Sequence, residues 1–180
     1  LAMNAPGTGS ILQLAEGAPP GVCAVYSFDG SGGAIISDAQ TPGIYGPADI
    51  TLQDATVELV FRPDDQQDNE PLWGSGGDGI GSSIILMDDK LVYTVCQNAV
   101  VAQAVAPLPA SAIAGGEFVH VFGTVDLLTD TVSLYINNSL ADTGQAVNIT
   151  NGNPGDLADW SGTDDEGIAR SQGTTGGDTL

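Results

Sequence analysis

Two neighbouring strand-like segments, residues 116–126 and 131–138, constrain the fold of this chain most strongly. The first reads GEFVHVFGTVD and the second TVSLYINN, with small or polar residues between them and after Ile136. Short runs rich in valine, phenylalanine, tyrosine and isoleucine, bounded by turn residues, are typical of β-strands. The pattern therefore predicts an antiparallel hairpin.

Other segments show the same preference for strands. Residues 56–62 place apolar residues on every second position, which predicts a strand with one buried face. Residues 82–87 and 90–95 flank Asp88 and Asp89, a typical two-residue hairpin turn. We also expect strands within 22–28, 34–37, 72–73, 99–106 and 141–149, a glycine-rich turn at 74–81, and a loop or one helical turn at 107–114.

No segment has the 3.6-residue apolar period of an amphipathic helix, and strands recur with short turns. The predicted architecture is therefore all-β, a sandwich of two antiparallel sheets. A chain of 180 residues is large enough for one well-buried domain and too small for two of ordinary size. We expect residues 1–21 to be a lead-in or linker segment and residues 22–180 to form the sandwich.

The charge balance excludes some classes of partner. The chain has 23 acidic residues and three basic residues, a formal net charge of −20. Such a surface repels nucleic acid and anionic membranes, because binding there depends on lysine and arginine. The many aspartates have two interpretations, as turn-shaping or surface residues and as ligands for a hard cation such as calcium.

Cys23 and Cys96 are the two cysteines, and each lies in a strand-like run. One disulfide between neighbouring strands and two independent buried thiols are both compatible with the sequence. No apolar run reaches the roughly 20 residues that span a bilayer, so we expect no membrane insertion. No signal peptide is visible, and the terminal residues look like those of a segment cut from a longer product.

Several motifs resemble those of laminin-G-like domains of the concanavalin A-like lectin/glucanase group. Residues 25–30 (VYSFDG) resemble the opening strand, and residues 55–63 (ATVELVFRP) resemble a later one. The hairpin at 116–138 resembles the central hairpin, and residues 167–170 (GIAR) a late segment. The ordered set covers about residues 22–170. The resemblance implies a jelly roll on an extracellular surface that holds a ligand, often a glycan.

The chain departs from the family pattern at three points. Phe118 stands where the family often has tryptophan, and Phe122 stands where it has a small residue. The usual closing strand, which resembles FxGxIDEVRIY, has no match here. That strand would lie beyond residue 180, come from a partner chain, or be replaced by the N-terminal segment.

Catalysis is disfavoured by the acidic residues themselves. Retaining glycosidases need two carboxyl groups about 5 Å apart, which related glucanases deliver from an ExDxxE strand. This chain lacks that pattern, and Glu58 has no acidic residue two or four positions later. His120 is the single histidine, and its place in the family pattern favours a hydrogen-bonding role in a core strand. We therefore predict that the protein is not an enzyme.

The resemblance implies one calcium ion at the rim of the sandwich, held by carboxylates from separate loops. A possible calcium cofactor would use aspartates near the first glycine-rich turn and in the loop before residues 167–170. The candidates are Asp29, Asp38, Asp159, Asp164 and Asp165. The alternative is that each is a solvated turn residue. No EF-hand spacing is present.

An exposed aromatic side chain is the usual platform for a glycan. Trp160 is the first candidate, because it lies in a loop rich in aspartate, glycine and serine, and Tyr45 is the second. A packing role is the alternative for Trp160. Trp73 follows Leu72 at the start of a strand, which favours the core.

The sequence thus predicts a non-catalytic extracellular binding or adhesion module that recognises a carbohydrate or a surface protein, with calcium as a possible cofactor. The alternative is a structural domain of a surface filament, adhesin or coat, assembled through strand sharing between subunits. A glycan hydrolase is the third and least favoured hypothesis.

Overall fold

The computed structural model describes residues 10–13, 24–27, 34–37, 54–63, 70–77, 79–157 and 166–168. These residues form thirteen strands and one short helix. The strands are Ser10–Gln13 (β1), Ala24–Ser27 (β2), Ala34–Ser37 (β3), Ala55–Phe61 (β4), Glu70–Gly77 (β5), Ile80–Met87 (β6), Lys90–Gln97 (β7), Val100–Pro107 (β8), Val119–Asp126 (β9), Thr131–Ile136 (β10), Ser139–Gln145 (β11), Val147–Asn148 (β12) and Glu166–Ile168 (β13), and the helix is Ala110–Gly115 (α1).

Two antiparallel sheets form an open sandwich. The larger sheet has the strand order β12-β8-β7-β6-β5-β13-β3, and the smaller has the order β11-β10-β9-β4. β1 and β2 pair in a separate two-stranded sheet. The prediction of an all-β, two-sheet architecture is confirmed, and each strand predicted from the sequence overlaps a strand of the structure.

Tight turns occur where the sequence places two small polar residues. Asp88 and Asp89 join β6 to β7 with φ of 47° and 62°, and Asn137 and Asn138 join β10 to β11 with φ of 49° and 65°. Aspartate and asparagine tolerate this left-handed backbone better than most residues, and two such residues match the twist of a hairpin. The turn predicted at Asp88 and Asp89 is confirmed.

The glycine-rich segment 74–81 differs from the prediction of a turn. β5 continues to Gly77, β6 begins at Ile80, and Gly76 pairs with Gly81 across the two strands. The prediction was wrong because a glycine has no local preference for strand, whereas pairing with a neighbouring strand favours the extended backbone. In contrast, α1 confirms the helical turn expected within residues 107–114.

The main core lies between the two sheets. In β9 and β10 every second side chain is buried, and the residues between them are half-buried. From this smaller sheet Val119, Val121, Val132 and Leu134 are completely buried. The larger sheet contributes inward side chains from β5 to β8, which are Trp73, Ile84, Leu86, Leu91, Tyr93, Val95, Ala102, Ala104 and Ala106. Burial of a valine or leucine side chain is worth about 1.5–3 kcal/mol, so this contact stabilises the sandwich.

The two sheets differ in how they meet solvent. In β6 and β7 the side chains on both faces are buried, including Ile85 and Val92, which alternate with the core residues. β9 and β10 are buried on one face only. Within the described residues, the smaller sheet is therefore the one whose outer face is open.

The sheets approach each other closely along one side, where β11 lies against β8. The backbone N–H of Val105 donates a hydrogen bond of 2.7 Å to Oδ2 of Asp142. Beside it, a Cβ atom built on Gly144 would collide with the backbone carbonyl of Gln103. Glycine is required here because no side chain fits between the two strands.

We expect Gly144→Ala to lower the free energy of unfolding by about 1–3 kcal/mol or more, because the added methyl group must displace the backbone of β8. Thr143→Ala is the matched control, since Thr143 is exposed and adjacent in the same strand. Chemical denaturation of the wild type and both variants measures the difference. Equal stability of Gly144→Ala and Thr143→Ala would contradict the close approach.

Candidate ligand-binding site

The site residues predicted from the sequence lie outside the described residues. They are the ligand-binding candidates Trp160 and Tyr45 and the calcium candidates Asp29, Asp38, Asp159, Asp164 and Asp165. Cys23 lies outside as well, whereas Cys96 is buried in β7. The ligand-binding and calcium assignments, and the pairing of the two cysteines, remain predictions.

Several aspartates that are described act as turn-shaping residues. Asp126 Oδ1 accepts hydrogen bonds from the backbone N–H groups of Leu128 and Thr129, at 2.9 and 3.2 Å. Asp54 Oδ1 accepts one from Leu127 at 2.9 Å. Among the described residues, no group of three or more histidine, cysteine, aspartate or glutamate side chains is arranged to hold a metal ion.

The open face of the smaller sheet brings together residues from four strands. Strand pairing places Phe122 of β9 between Glu58 of β4 and Tyr135 of β10, and places Tyr135 beside Leu140 of β11. In the next row Val60 pairs with His120. We call this surface the aromatic face; its members are Glu58, Val60, His120, Phe122, Tyr135 and Leu140.

The aromatic face is accessible to a ligand. Val60 is 42% exposed and Leu140 is 56% exposed, and Phe122 and Tyr135 are half-buried. Single apolar side chains on a surface are ordinary, but an apolar cluster rimmed by polar residues often marks an interaction site. This cluster joins two aromatic rings and two aliphatic side chains in adjacent positions of one sheet.

A glutamate–histidine pair lies within the aromatic face. His120 Nε2 and Glu58 Oε1 are 2.7 Å apart, and the His120 and Phe122 rings are tilted at 52° with centroids 4.3 Å apart. The backbone N–H of His120 also donates to Asn137 Oδ1 at 3.0 Å. The imidazole is thus held between a carboxylate and an aromatic ring. Because 59% of the Glu58 side chain is exposed, its carboxylate is accessible to a ligand.

The aromatic face has distinct borders. On one side, strand pairing places four hydroxyl-bearing residues in a row across the sheet, namely Thr56, Thr124, Ser133 and Thr143. On the other side, the guanidinium of Arg62 lies 5.3 Å from the centroid of the Phe118 ring, a cation–π contact. The face therefore combines an apolar centre with polar groups that donate and accept hydrogen bonds.

Sequence reasoning did not identify this site, although it contained two signals. Phe122 is a large aromatic residue where the resembling family has a small one, and Glu58 lies on the polar side of an alternating strand. The hydrogen-bonding role predicted for His120 is confirmed, but its partner is Glu58, 62 positions away in sequence. Only the pairing of β4 with β9 brings these residues together.

The described helix is not long and apolar enough to cross a membrane.

Residues 29–176 match the family described as the concanavalin A-like lectin/glucanases superfamily, of laminin-G type. The chain belongs to this superfamily. No curated protein shows significant sequence similarity to it.

Two solved structures of one CBM40 share the fold at low sequence identity. The CBM40 of the Ruminococcus gnavus IT-sialidase has a TM-score of 0.53 and 14% identity, over 77% of this chain and 78% of that chain. The same CBM40 bound to alpha2,6 sialyllactose has a TM-score of 0.52 and 14% identity, over 76% and 77%. Domains LG4-5 of the mouse laminin alpha1 chain have a TM-score of 0.48 and 16% identity, over 66% of this chain and 29% of that chain. This chain thus spans less than a third of that laminin structure.

Proposed function

We propose that this protein is a non-catalytic, extracellular binding module that holds a carbohydrate on the aromatic face. The observation that carries the proposal is the cluster of Phe122, Tyr135 and His120 on an open sheet, beside the exposed carboxylate of Glu58. Membership of a superfamily that includes lectins supports it.

The chemistry of the aromatic face matches that of a sugar ring. A pyranose presents an apolar surface of C–H groups on one side and hydroxyl groups at its edge. The rings of Phe122 and Tyr135 provide apolar area at little conformational cost, because each aromatic side chain has two rotatable bonds. Glu58 and the neighbouring threonines provide partners for the hydroxyl groups. An open sheet face of this kind suits a chain of sugars better than a small metabolite, which needs a deep pocket.

The same residues do not form a hydrolytic centre. Glycoside hydrolysis requires two carboxyl groups flanking the scissile bond, and Glu58 is paired instead with an imidazole. The residue opposite Glu58 in β9 is Phe122. The proposal therefore assigns Glu58 to hydrogen bonding with ligand.

We expect Tyr135→Ala and Phe122→Ala to weaken glycan binding by about thirtyfold, because loss of a central aromatic contact typically costs about 2 kcal/mol. Leu128→Ala is the control, since Leu128 is 92% exposed and lies in the β9–β10 turn, off the aromatic face. A glycan array, followed by calorimetric titration of the glycans that bind, measures the effect. Glycan binding that both aromatic variants retain would place the ligand elsewhere, and binding to a protein partner with no glycan bound would contradict the carbohydrate proposal.

We also propose a calcium ion at the rim, held by Asp29, Asp38, Asp159, Asp164 and Asp165. A ligand present at one hundred times its dissociation constant stabilises the folded state by about 2.7 kcal/mol. For a domain of this size the melting temperature would rise by about 5–10 °C.

The measurement is a thermal melt at fixed ionic strength with calcium, with magnesium and with a chelator. Asp164→Asn combined with Asp165→Asn should abolish the rise, and Asp88→Asn, in the β6–β7 turn, should not. Equal melting temperatures with calcium and with chelator would contradict the calcium site and leave these five aspartates as turn and surface residues.

One observation favours a second function, a structural domain that shares strands with neighbouring subunits. β4 is an edge of the smaller sheet within the described residues, and its inward side chains Val57, Leu59 and Phe61 are only partly buried. An edge of this kind is a template for another strand.

Strand sharing predicts self-association. Sedimentation analysis across a wide concentration range should then detect dimers or longer assemblies. A monomer at about 100 μM, well above the concentration at which a stable interface dissociates, would reject this second function and leave the carbohydrate proposal unaffected.

A further inference from the structure

The charged groups on the open face of the smaller sheet are unevenly placed. Glu58 lies in the same row as Phe122 and Tyr135, at the β4 end of that row. Arg62 lies four residues further along the chain, just past the end of β4 and about 13 Å away at the rise of an extended strand, and its guanidinium is above the Phe118 ring. Among the described residues, the aromatic face itself carries one carboxylate, the imidazole of His120 that is hydrogen-bonded to it, and no lysine or arginine.

The accessible groups also differ in hydrogen-bonding capacity. A carboxylate only accepts hydrogen bonds, whereas a sugar hydroxyl both donates and accepts. Glu58 is more than half exposed, and one of its oxygens is bonded to His120. Its carboxylate can therefore receive a hydrogen bond from a ligand hydroxyl, but it cannot donate one to an acidic group.

We propose that the aromatic face selects uncharged glycans and rejects glycans with a carboxylate or sulfate group at the site. This inference rests on the proposed carbohydrate-binding function and adds the class of ligand. An acidic sugar at the Glu58 row would bring two negative charges together, with no lysine or arginine among the members of the aromatic face to offset them. The whole-chain charge of −20 also repels anionic polymers, which adds to the preference for uncharged glycans.

Proteins that share this fold can differ in the charge of the glycan that they bind. The CBM40 with the same fold was solved with alpha2,6 sialyllactose, a sugar that carries a carboxylate. Recognition of such a group is normally achieved by arginine or lysine through charge-assisted hydrogen bonds. Because the aromatic face presents the carboxylate of Glu58 and no lysine or arginine among its members, it has the opposite preference.

The test compares glycans that differ in charge and share a backbone. The two neutral probes are lactose and fully methyl-esterified homogalacturonan, and their acidic counterparts are sialyllactose and polygalacturonate. A wider array of neutral and acidic glycans accompanies them, and affinity is measured by titration at low and high salt. We expect neutral glycans to bind at least about tenfold more tightly than acidic counterparts.

Two isosteric variants locate the cause of the selectivity. Glu58→Gln removes the negative charge and adds a hydrogen-bond donor. It should therefore reduce the difference in affinity between neutral and acidic glycans. Glu117→Gln makes the same charge change at an exposed residue just before β9 and should leave this difference unchanged. Thermal melts of both variants confirm that they are folded.

Each result decides between the proposals. The inference is supported if the wild type prefers neutral glycans, if Glu58→Gln weakens this preference, and if Glu117→Gln leaves it unchanged. Acidic glycans that bind as tightly as neutral ones, and lose affinity in Tyr135→Ala, would overturn the inference and leave the proposed function standing. Selectivity that Glu58→Gln does not change would overturn the role of Glu58. Absence of binding to every glycan would overturn the proposed function, and this inference with it.

Discussion

The contact between Tyr93 and Gly123 sets the distance between the two sheets. Tyr93 of β7 points into the core and is only 2% exposed. A Cβ atom on Gly123 of β9 would lie 2.8 Å from its ring. The largest fully buried side chain of the molecule's described residues thus rests directly on the backbone of the other sheet, and any side chain at Gly123 would force the two sheets apart. Val121 and Val125, on either side of Gly123 in the inward row, are buried around the same contact.

The packing also determines which surface is left for a ligand. Because β9 and β10 alternate strictly, the residues that fill the core and the residues that face outward come from the same strands. Val119 and Val121 stabilise the sandwich, while His120 and Phe122, which alternate with them along β9, lie on the aromatic face. A rigid sheet backed by a close-packed core holds exposed side chains more precisely than a loop does. The stability of the domain and the geometry of the proposed site therefore depend on the same two strands.

The agreement between sequence and structure is uneven, for identifiable physical reasons. The turns at Asp88–Asp89 and the alternation of residues 56–62 depend on local chemistry, and both were predicted correctly. Residues 74–77 were assigned to a turn because glycine is a strong local signal, yet pairing with β6 makes them a strand. The aromatic face was missed because its members come from four strands. No sequence window contains both Glu58 and His120, whose side chains are hydrogen-bonded.

The sequence by itself determined the class of fold, since period-two alternation and small polar turn residues are local properties that leave few alternatives to an antiparallel sandwich. It also determined the charge of the molecule, on which the expectation that it does not bind nucleic acid or anionic membranes rests. Tertiary structure alone decided which outward side chains become neighbours, because cross-strand register aligns residues that are far apart in the chain. It likewise decided which glycines are indispensable, since Gly123 and Gly144 are required by what lies against them across the core and not by their own turn geometry.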